Sequence, residues 1–135
     1  MVQEDKELLL KDLAGRLPYG LYATVRDPEE KDDFQPFEIL GIKEDLVWVR
    51  NTMIGVDHFD TIEIVKPYLR PMDSMTEEER KKYRIECKKV LLMRYRVNSH
   101  YPVTDWLNAH HFDYRGLIEK GLAIEVTKDN NPYKD

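Results

Sequence analysis

Four short segments rich in β-branched and aromatic residues follow one another between positions 21 and 65, and this succession constrains the fold most. Such residues fit the pleated, half-buried surface of a sheet. The segments are LYATVR (21–26), FEILGI (37–42), LVWVR (46–50) and TIEIV (61–65). Because only the polar triplet 43–45 separates the second segment from the third, these two are predicted to form a hairpin. The pattern predicts a small antiparallel sheet, and four strands with turn signals also suit closure as an SH3-like barrel.

Two stretches beside these strands carry weaker signals. NTMIGVDHFD (51–60) contains a glycine and is predicted to be a loose connection. TIEIV (61–65) alternates like a strand, although a short 3₁₀ turn beside a strand fits it as well. Pro67 and Pro71 bracket the next residues, and they predict an extended, pinned exit from the sheet.

Helical patterns flank the predicted sheet. Residues 5–16 place leucines on one face, and the helix is expected to end before Pro18, which pushes the preceding residue out of helical geometry. Thr76 and Glu79 have the spacing of a capping box, in which a hydroxyl and a carboxylate bind the free amide groups of a helix start. The alternation of residues 93–97 predicts a short strand after that second helix.

The segment TDWLNAHHFDYRGLIEKGLAIEV (104–126) packs many polar side chains into a short span. Thr104 is predicted to be the N-cap of a short helix. Asp113 is predicted to cap a second helix at 114–120, and Gly121 to end that helix in a left-handed conformation. Residues 122–126 then predict a last strand.

These elements together predict an α+β protein, with a small antiparallel sheet, an N-terminal helix and a helical C-terminal part. We expect one domain over 1–135, with a β-rich part at 18–72, a helical part at 73–126 and a flexible polar tail at 127–135. A sheet of about 55 residues would be marginal alone, which favours a single cooperative unit. Both tryptophans lie among apolar residues and are predicted in the core.

The cysteine content and the hydropathy of the chain indicate where in the cell the protein is located. A single cysteine, Cys87, cannot form an internal disulfide, so nothing calls for an oxidising environment. The acidic start of the chain lacks the basic and long apolar segments of a signal peptide, and no run is long enough for a membrane span. The sequence therefore predicts a soluble, cytoplasmic protein with no membrane partner.

The charge is unevenly distributed. The chain has a net charge of −5, yet residues 66–96 hold ten basic against five acidic residues. The candidate binding residues in this stretch are Arg80, Lys81, Arg84, Lys88, Lys89, Arg94 and Arg96. They would suit the phosphates of a nucleic acid, with Tyr83 and Tyr95 as stacking residues. An acidic protein partner, including the acidic half of another copy, explains the same charges equally well, and the acidic pI of about 5.4 argues against general polyanion binding.

Other chemistry has little support in the sequence. His110 and Asp113 are three residues apart and could face one metal ion, which would suit a metal-dependent hydrolase. His111 would point away from that side of the helix, and the simpler interpretation gives these residues capping and packing roles. Cys87 and the serines lie in no nucleophile motif, and the six glycines form no phosphate-binding loop. We therefore expect no catalytic residue, no enzymatic activity and no cofactor.

Two stretches carry a family resemblance. IVKPYLRPMDSMTEEE (64–79) and DWLNAHHFDYRGLIEKGLA (105–123) resemble segments of a family of small uncharacterised proteins encoded in prophages and other mobile elements of gut bacteria. The resemblance implies a bacterial cytoplasm and a mobile-element setting, and it brings no catalytic residue. The sequence thus predicts a non-enzymatic accessory protein that acts through macromolecular contacts, with a nucleic-acid-binding module as the alternative. The sequence does not define its oligomeric state.

Overall fold

The computed structural model describes residues 1–25, 36–92 and 102–133. The first element, helix α1 (Gln3–Arg16), agrees with the predicted N-terminal helix. It buries Leu9 and Leu13 completely, as the leucine spacing predicts. A 3₁₀ turn at Leu17–Tyr19 follows, so the α-helix ends before Pro18 as expected. Leu17 nevertheless keeps helical angles, with φ at −53° and ψ at −42°, so the expectation that Pro18 pushes it out of helical geometry is wrong.

A four-stranded antiparallel section forms the first part of the sheet. Its strands are β1 (Tyr22–Val25), β2 (Phe37–Lys43), β3 (Leu46–Asn51) and β4 (Asp57–Thr61), in the spatial order β4-β3-β2-β1. The predicted hairpin between β2 and β3 is confirmed, with Lys43 paired to Leu46 and Glu44 in a left-handed conformation at the turn. Side chains alternate along β3, where Val47 and Val49 are buried and Trp48 is 37% exposed. The prediction that Trp48 is a core residue is therefore wrong.

Strand β4 lies where a loose connection was predicted. Its sequence, DHFDT, lacks apolar alternation because it is an edge strand whose residues are mostly exposed on both faces. The following TIEIV segment supplies the end of β4 and a 3₁₀ turn at Ile62–Ile64, as the second interpretation of that segment predicted.

The next strand, β5 (Val65–Pro71), is the segment that was predicted to leave the sheet. It instead joins the two halves of the sheet, and Tyr68 and Leu69 are buried in it. Its pairing with β1 covers Val65–Pro67, and its other pairings cover Tyr68–Pro71. Each proline thus ends a paired stretch, where its missing N–H interrupts the ladder least.

Two short strands from the C-terminal part complete the sheet. Strands β6 (Phe112–Asp113) and β7 (Ile124–Glu125) both run parallel to β5. The α+β class is therefore confirmed, but the sheet is mixed and has seven strands within the described residues, rather than being small and purely antiparallel. It does not close as a barrel, because β4 pairs only with β3 among the described elements.

Among the described residues, two helices lie between β5 and β6 along the chain. After a 3₁₀ turn at Met72–Ser74, helix α2 (Glu77–Leu92) begins, and helix α3 (Pro102–Ala109) precedes β6. Thr104 therefore lies inside α3 and is not its N-cap, because Pro102 is suited to the first turn of a helix and starts it earlier. The predicted strand at 93–97 lies outside the described residues.

The segment that was predicted as a second short helix, 114–120, is a series of turns. Asp113 nevertheless caps it, because its carboxylate accepts hydrogen bonds of 3.0 Å from the backbone N–H groups of Leu117 and Ile118. Gly121 has a φ of 73° and ends the turns as predicted. The bonds from Gly121 N to Ile118 O and from Leu122 N to Leu117 O have the pattern of a Schellman motif without a long helix before it.

One hydrophobic cluster connects the elements. It includes residues of α1, of strands β1–β3 and β5, and of the C-terminal turns, such as Leu117 and Leu122. Tyr133, in the predicted flexible tail 127–135, packs against this cluster. The described part of that tail, up to residue 133, is therefore held against the sheet, because a large aromatic side chain gains contact area there.

Candidate functional site

An open groove of about 420 Å³ runs along α2. Its residues are Met75, Arg80, Tyr83, Arg84, Cys87 and Lys88. Positions four apart on a helix lie nearly above one another, so the three cations form one row and the tyrosine and cysteine form the next. The groove therefore has an apolar floor beside a line of positive charge.

The structure separates the predicted basic residues into different groups. Arg80, Arg84 and Lys88 line the groove and are exposed, and none of them forms an ion pair with a described residue. Lys81 is exposed away from the groove lining, and Lys89 binds Glu86 at 3.0 Å. The remaining two, Arg94 and Arg96, lie outside the described residues. The structure thus brings three of the seven predicted binding residues to one surface.

The start of α2 is held in place by its capping residues and by an arginine of β5. Glu79 N–H donates to the Thr76 hydroxyl at 3.2 Å, and Thr76 N–H donates to the Glu79 carboxylate at 3.0 Å, which confirms the predicted capping box. Arg70 donates two hydrogen bonds of 2.6 and 2.8 Å to the same carboxylate. These hydrogen bonds from Arg70 lower the pKa of Glu79 to about 2. The groove therefore has a fixed position relative to the sheet.

The tyrosine of the groove is already in contact with the protein. The rings of Tyr83 and Trp106 have centroids 6.1 Å apart and are tilted by 51°. Burial, and after it a hydrogen bond with the Cys87 thiol, raise the pKa of Tyr83. Trp106 also stacks on Phe112, with centroids 5.7 Å apart, so these rings connect α2 to β6 through α3.

The residues of the alternative metal site have other bonding partners. His110 stacks on Trp106, and its Nδ1 lies 2.9 Å from the Trp106 carbonyl oxygen. Asp113 uses both carboxylate oxygens to cap the turn that follows β6. Within 1–25, 36–92 and 102–133, no three His, Cys, Asp or Glu side chains are grouped so that they could hold a metal ion.

His111 lies two residues after the end of α3 in a left-handed conformation, with φ at 64°. Its ring stacks on Tyr133 with a centroid distance of 3.6 Å. Burial and, after it, the positive charges of Arg16 and Arg70 lower the pKa of His111 to about 4. The neutral imidazole is therefore a packing residue at neutral pH.

A buried ionic network lies beneath this region, and the sequence did not indicate it. Asp12 and Arg16 are fully buried on α1, with hydrogen bonds of 2.8 and 3.1 Å between them. Arg115 donates to Asp12 at 2.7 Å, and Arg16 donates to the Phe112 carbonyl oxygen at 2.7 Å. The four-residue spacing of Asp12 and Arg16 is a signal for an ion pair, but nothing in it shows that the pair is buried. The network fixes α1 to the C-terminal segment and lies away from the groove lining.

Comparison with protein-family models, with curated proteins and with solved structures finds no match for this chain. The resemblance to prophage-encoded proteins therefore stays a prediction. In the part of the chain that the structure describes, none of the helices has the length and apolar character needed to cross a bilayer.

Proposed function

We propose that this chain is a non-enzymatic binding protein that takes up an acidic, amphipathic segment of another protein along the α2 groove. The observation that carries the proposal is the row of Arg80, Arg84 and Lys88 beside the apolar floor of Tyr83 and Cys87. A helix or extended segment with acidic residues on one side and apolar residues on the other matches both rows. Apolar burial would supply affinity, and the charges would supply orientation and a faster encounter.

The same residues favour a protein partner over a nucleic acid. Bases bind through stacking on free aromatic faces, whereas Tyr83 already packs against Trp106. The chain outside residues 66–96 is strongly acidic, so its long-range field repels a polyanion. A short acidic segment, unlike a long nucleic acid, would contact only the basic surface and would not reach the acidic remainder of the protein. The proposed setting is the bacterial cytoplasm, as an accessory protein of a phage or mobile element.

The test uses the full chain, a random peptide display library and labelled DNA and RNA oligonucleotides. The groove variant is the triple charge reversal R80E/R84E/K88E, and the control is K11E/K43E/K120E, which changes the charge equally at exposed lysines of other elements. Selected peptides should be rich in acidic and large apolar residues. Their affinity should fall with salt, and by about tenfold or more in the groove variant, because several charge contacts are reversed together.

Two outcomes would overturn the proposal. One is a selection in which no peptide distinguishes the groove variant from the control. The other is groove-dependent binding of oligonucleotides with no peptide binding, which would establish the nucleic-acid-binding alternative instead. Circular dichroism of each variant checks that the fold persists.

A further inference from the structure

The edge strand β4 presents a second exposed surface, with free hydrogen-bonding groups. Ile62 N–H donates to Asp45 O at 3.1 Å, and Asn51 N–H donates to Val56 O at 2.9 Å, so even-numbered residues from 56 to 62 turn their backbone groups toward β3. Backbone groups alternate along a strand. The N–H and C=O groups of Asp57, Phe59 and Thr61 therefore point away from β3, and no described strand pairs with them.

The same edge carries exposed aromatic residues. Phe59 is 52% exposed and stacks on Trp48, with ring centroids 6.2 Å apart. The Trp48 indole N–H donates to Asp57 at 2.7 Å, which holds the indole ring over the outer face of the sheet. Exposed apolar side chains next to an open strand edge mark a contact surface.

We infer that β4 pairs antiparallel with β4 of a second copy of this chain, with Phe59 at the two-fold axis. In this register Phe59 meets Phe59 of the second copy, and Asp57 meets Thr61. The outward backbone groups would form about six hydrogen bonds between the copies, because residues 57, 59 and 61 are all hydrogen-bonding positions. The aromatic pair of each copy would become one continuous row across the joined sheets.

The order of charges along β4 selects this register and this partner. An axis at Phe59 places His58 of each copy opposite Asp60 of the other, and these two side chains already lie against each other within one chain, with Nε2 of His58 2.6 Å from a carboxylate oxygen of Asp60. An axis at Asp60 would set two aspartates face to face, and an axis at His58 would set Asp60 opposite the apolar Val56. Like charges directly opposite destabilise a strand pair. The side chains of β4 therefore complement each other in the register centred on Phe59. They disfavour the two neighbouring registers, which are centred on Asp60 and on His58.

The test removes the outward donor of Thr61 without changing the strand. Thr61 has a φ of −74°, which is within the range that proline imposes, and the Asp60 before it is in extended backbone. Thr61→Pro should therefore fold normally, and it should remove two of the intermolecular hydrogen bonds. Thr61→Val is the matched control, because it loses the hydroxyl but keeps the N–H. We expect a concentration-dependent dimer in analytical ultracentrifugation for the wild type and T61V, and a dissociation constant raised by about tenfold or more in T61P.

The outcomes distinguish a dimer that forms through β4 from a dimer that forms through the α2 groove. A wild type that remains monomeric up to its solubility limit would overturn the inference. A dimer that survives T61P but dissociates in R80E/R84E/K88E would overturn it as well, because the acidic half of another copy would then occupy the groove. Circular dichroism of T61P confirms the fold, and Phe59→Ser, which leaves every backbone group in place, is a second variant that should weaken the dimer.

Discussion

The hydroxyl of Tyr133 donates a 2.7 Å hydrogen bond to the carbonyl oxygen of Tyr68 in the middle of β5. The same hydroxyl accepts a 3.2 Å bond from the backbone N–H of Tyr22. One side chain near the C-terminus thus connects β1 and β5, and it also stacks on His111. A residue that the composition of its surroundings assigned to a flexible tail is a structural contact of the sheet.

Tyr133→Phe should lower the free energy of unfolding by about 1–3 kcal/mol, because two backbone groups each lose a hydrogen bond in a partly buried place. The ring contacts with Tyr22 and His111 remain in this variant. Tyr133→Ala should cost about 3–5 kcal/mol, since the aromatic contacts are lost as well. Urea denaturation at neutral pH measures both values. Equal stability of the wild type and both variants would show that the tail contributes nothing to the fold.

His111 should make the protein sensitive to mild acid. Its pKa is about 4 in the folded protein against about 6.5 when unfolded, so the unfolded state binds the proton first. Full stability is expected above pH 6.5, with a loss of about 3 kcal/mol as the pH falls toward 4. His111→Asn should lack this contribution, because asparagine does not titrate and tolerates the left-handed backbone.

Denaturation at pH 7, 5.5 and 4 measures the effect. His111→Gly is the matched control, because it accepts the positive φ and also does not titrate. Both variants should lose less stability between pH 7 and 4 than the wild type. If the wild type loses no more stability than these variants between pH 7 and 4, the lowered pKa of His111 is contradicted.

Glu79→Gln separates the ion pair with Arg70 from the capping box, since glutamine can still cap. At neutral pH the variant should lose about 1–3 kcal/mol, because Arg70 then lacks its charged partner. The pKa of Glu79 is lowered to about 2, so the difference from the wild type is complete above pH 4.5 and shrinks as the pH falls toward 2. Thermal or urea unfolding over this pH range follows the difference. Glu78→Gln, at an exposed position in the same turn, should show little change.

Asp12→Asn should be among the most damaging of these changes. Asp12 binds both Arg16 and Arg115, and Arg16 is fully buried, so the variant leaves a buried positive charge without its counter-ion. We expect a loss of about 3–5 kcal/mol. Glu4→Gln, at an exposed position in the first turn of the same helix, should cost less than about 1 kcal/mol. Similar values for the two variants in chemical denaturation would show that the network does not stabilise the fold.

The sequence predicted those elements that depend on residues close together in the chain. The leucine spacing of α1, the β2–β3 hairpin, the capping box of α2 and the left-handed Gly121 depend on residues a few positions apart. Strand β4 could not be predicted in this way, because an edge strand exposed on both faces has no apolar alternation. Strand β5 joins the two halves of the sheet through partners far away in sequence. Pro67 and Pro71 had instead predicted that this segment leaves the sheet.

The candidate site was predicted only in part, for the same reason. The basic residues of 80–88 follow from the sequence, but the groove needs Met75 and the packing of Tyr83 on Trp106, which bring separate elements together. The burial of Asp12 and Arg16 depends on α1 meeting the segment around Phe112. Helical spacing shows that two side chains are adjacent, and only the complete fold shows what covers them.

Strand β5 collects its neighbours from both directions of the chain: β1 from before it, and β6 and β7 from after it. The loops between these partners must close before their hydrogen bonds are gained, which costs chain entropy at an early stage of folding. Proteins dominated by such distant contacts fold slowly. The pairing of β5 with β1, β6 and β7 should therefore be a late and slow stage of folding, and a fragment that stops before Phe112 should leave β5 with an open side that invites association.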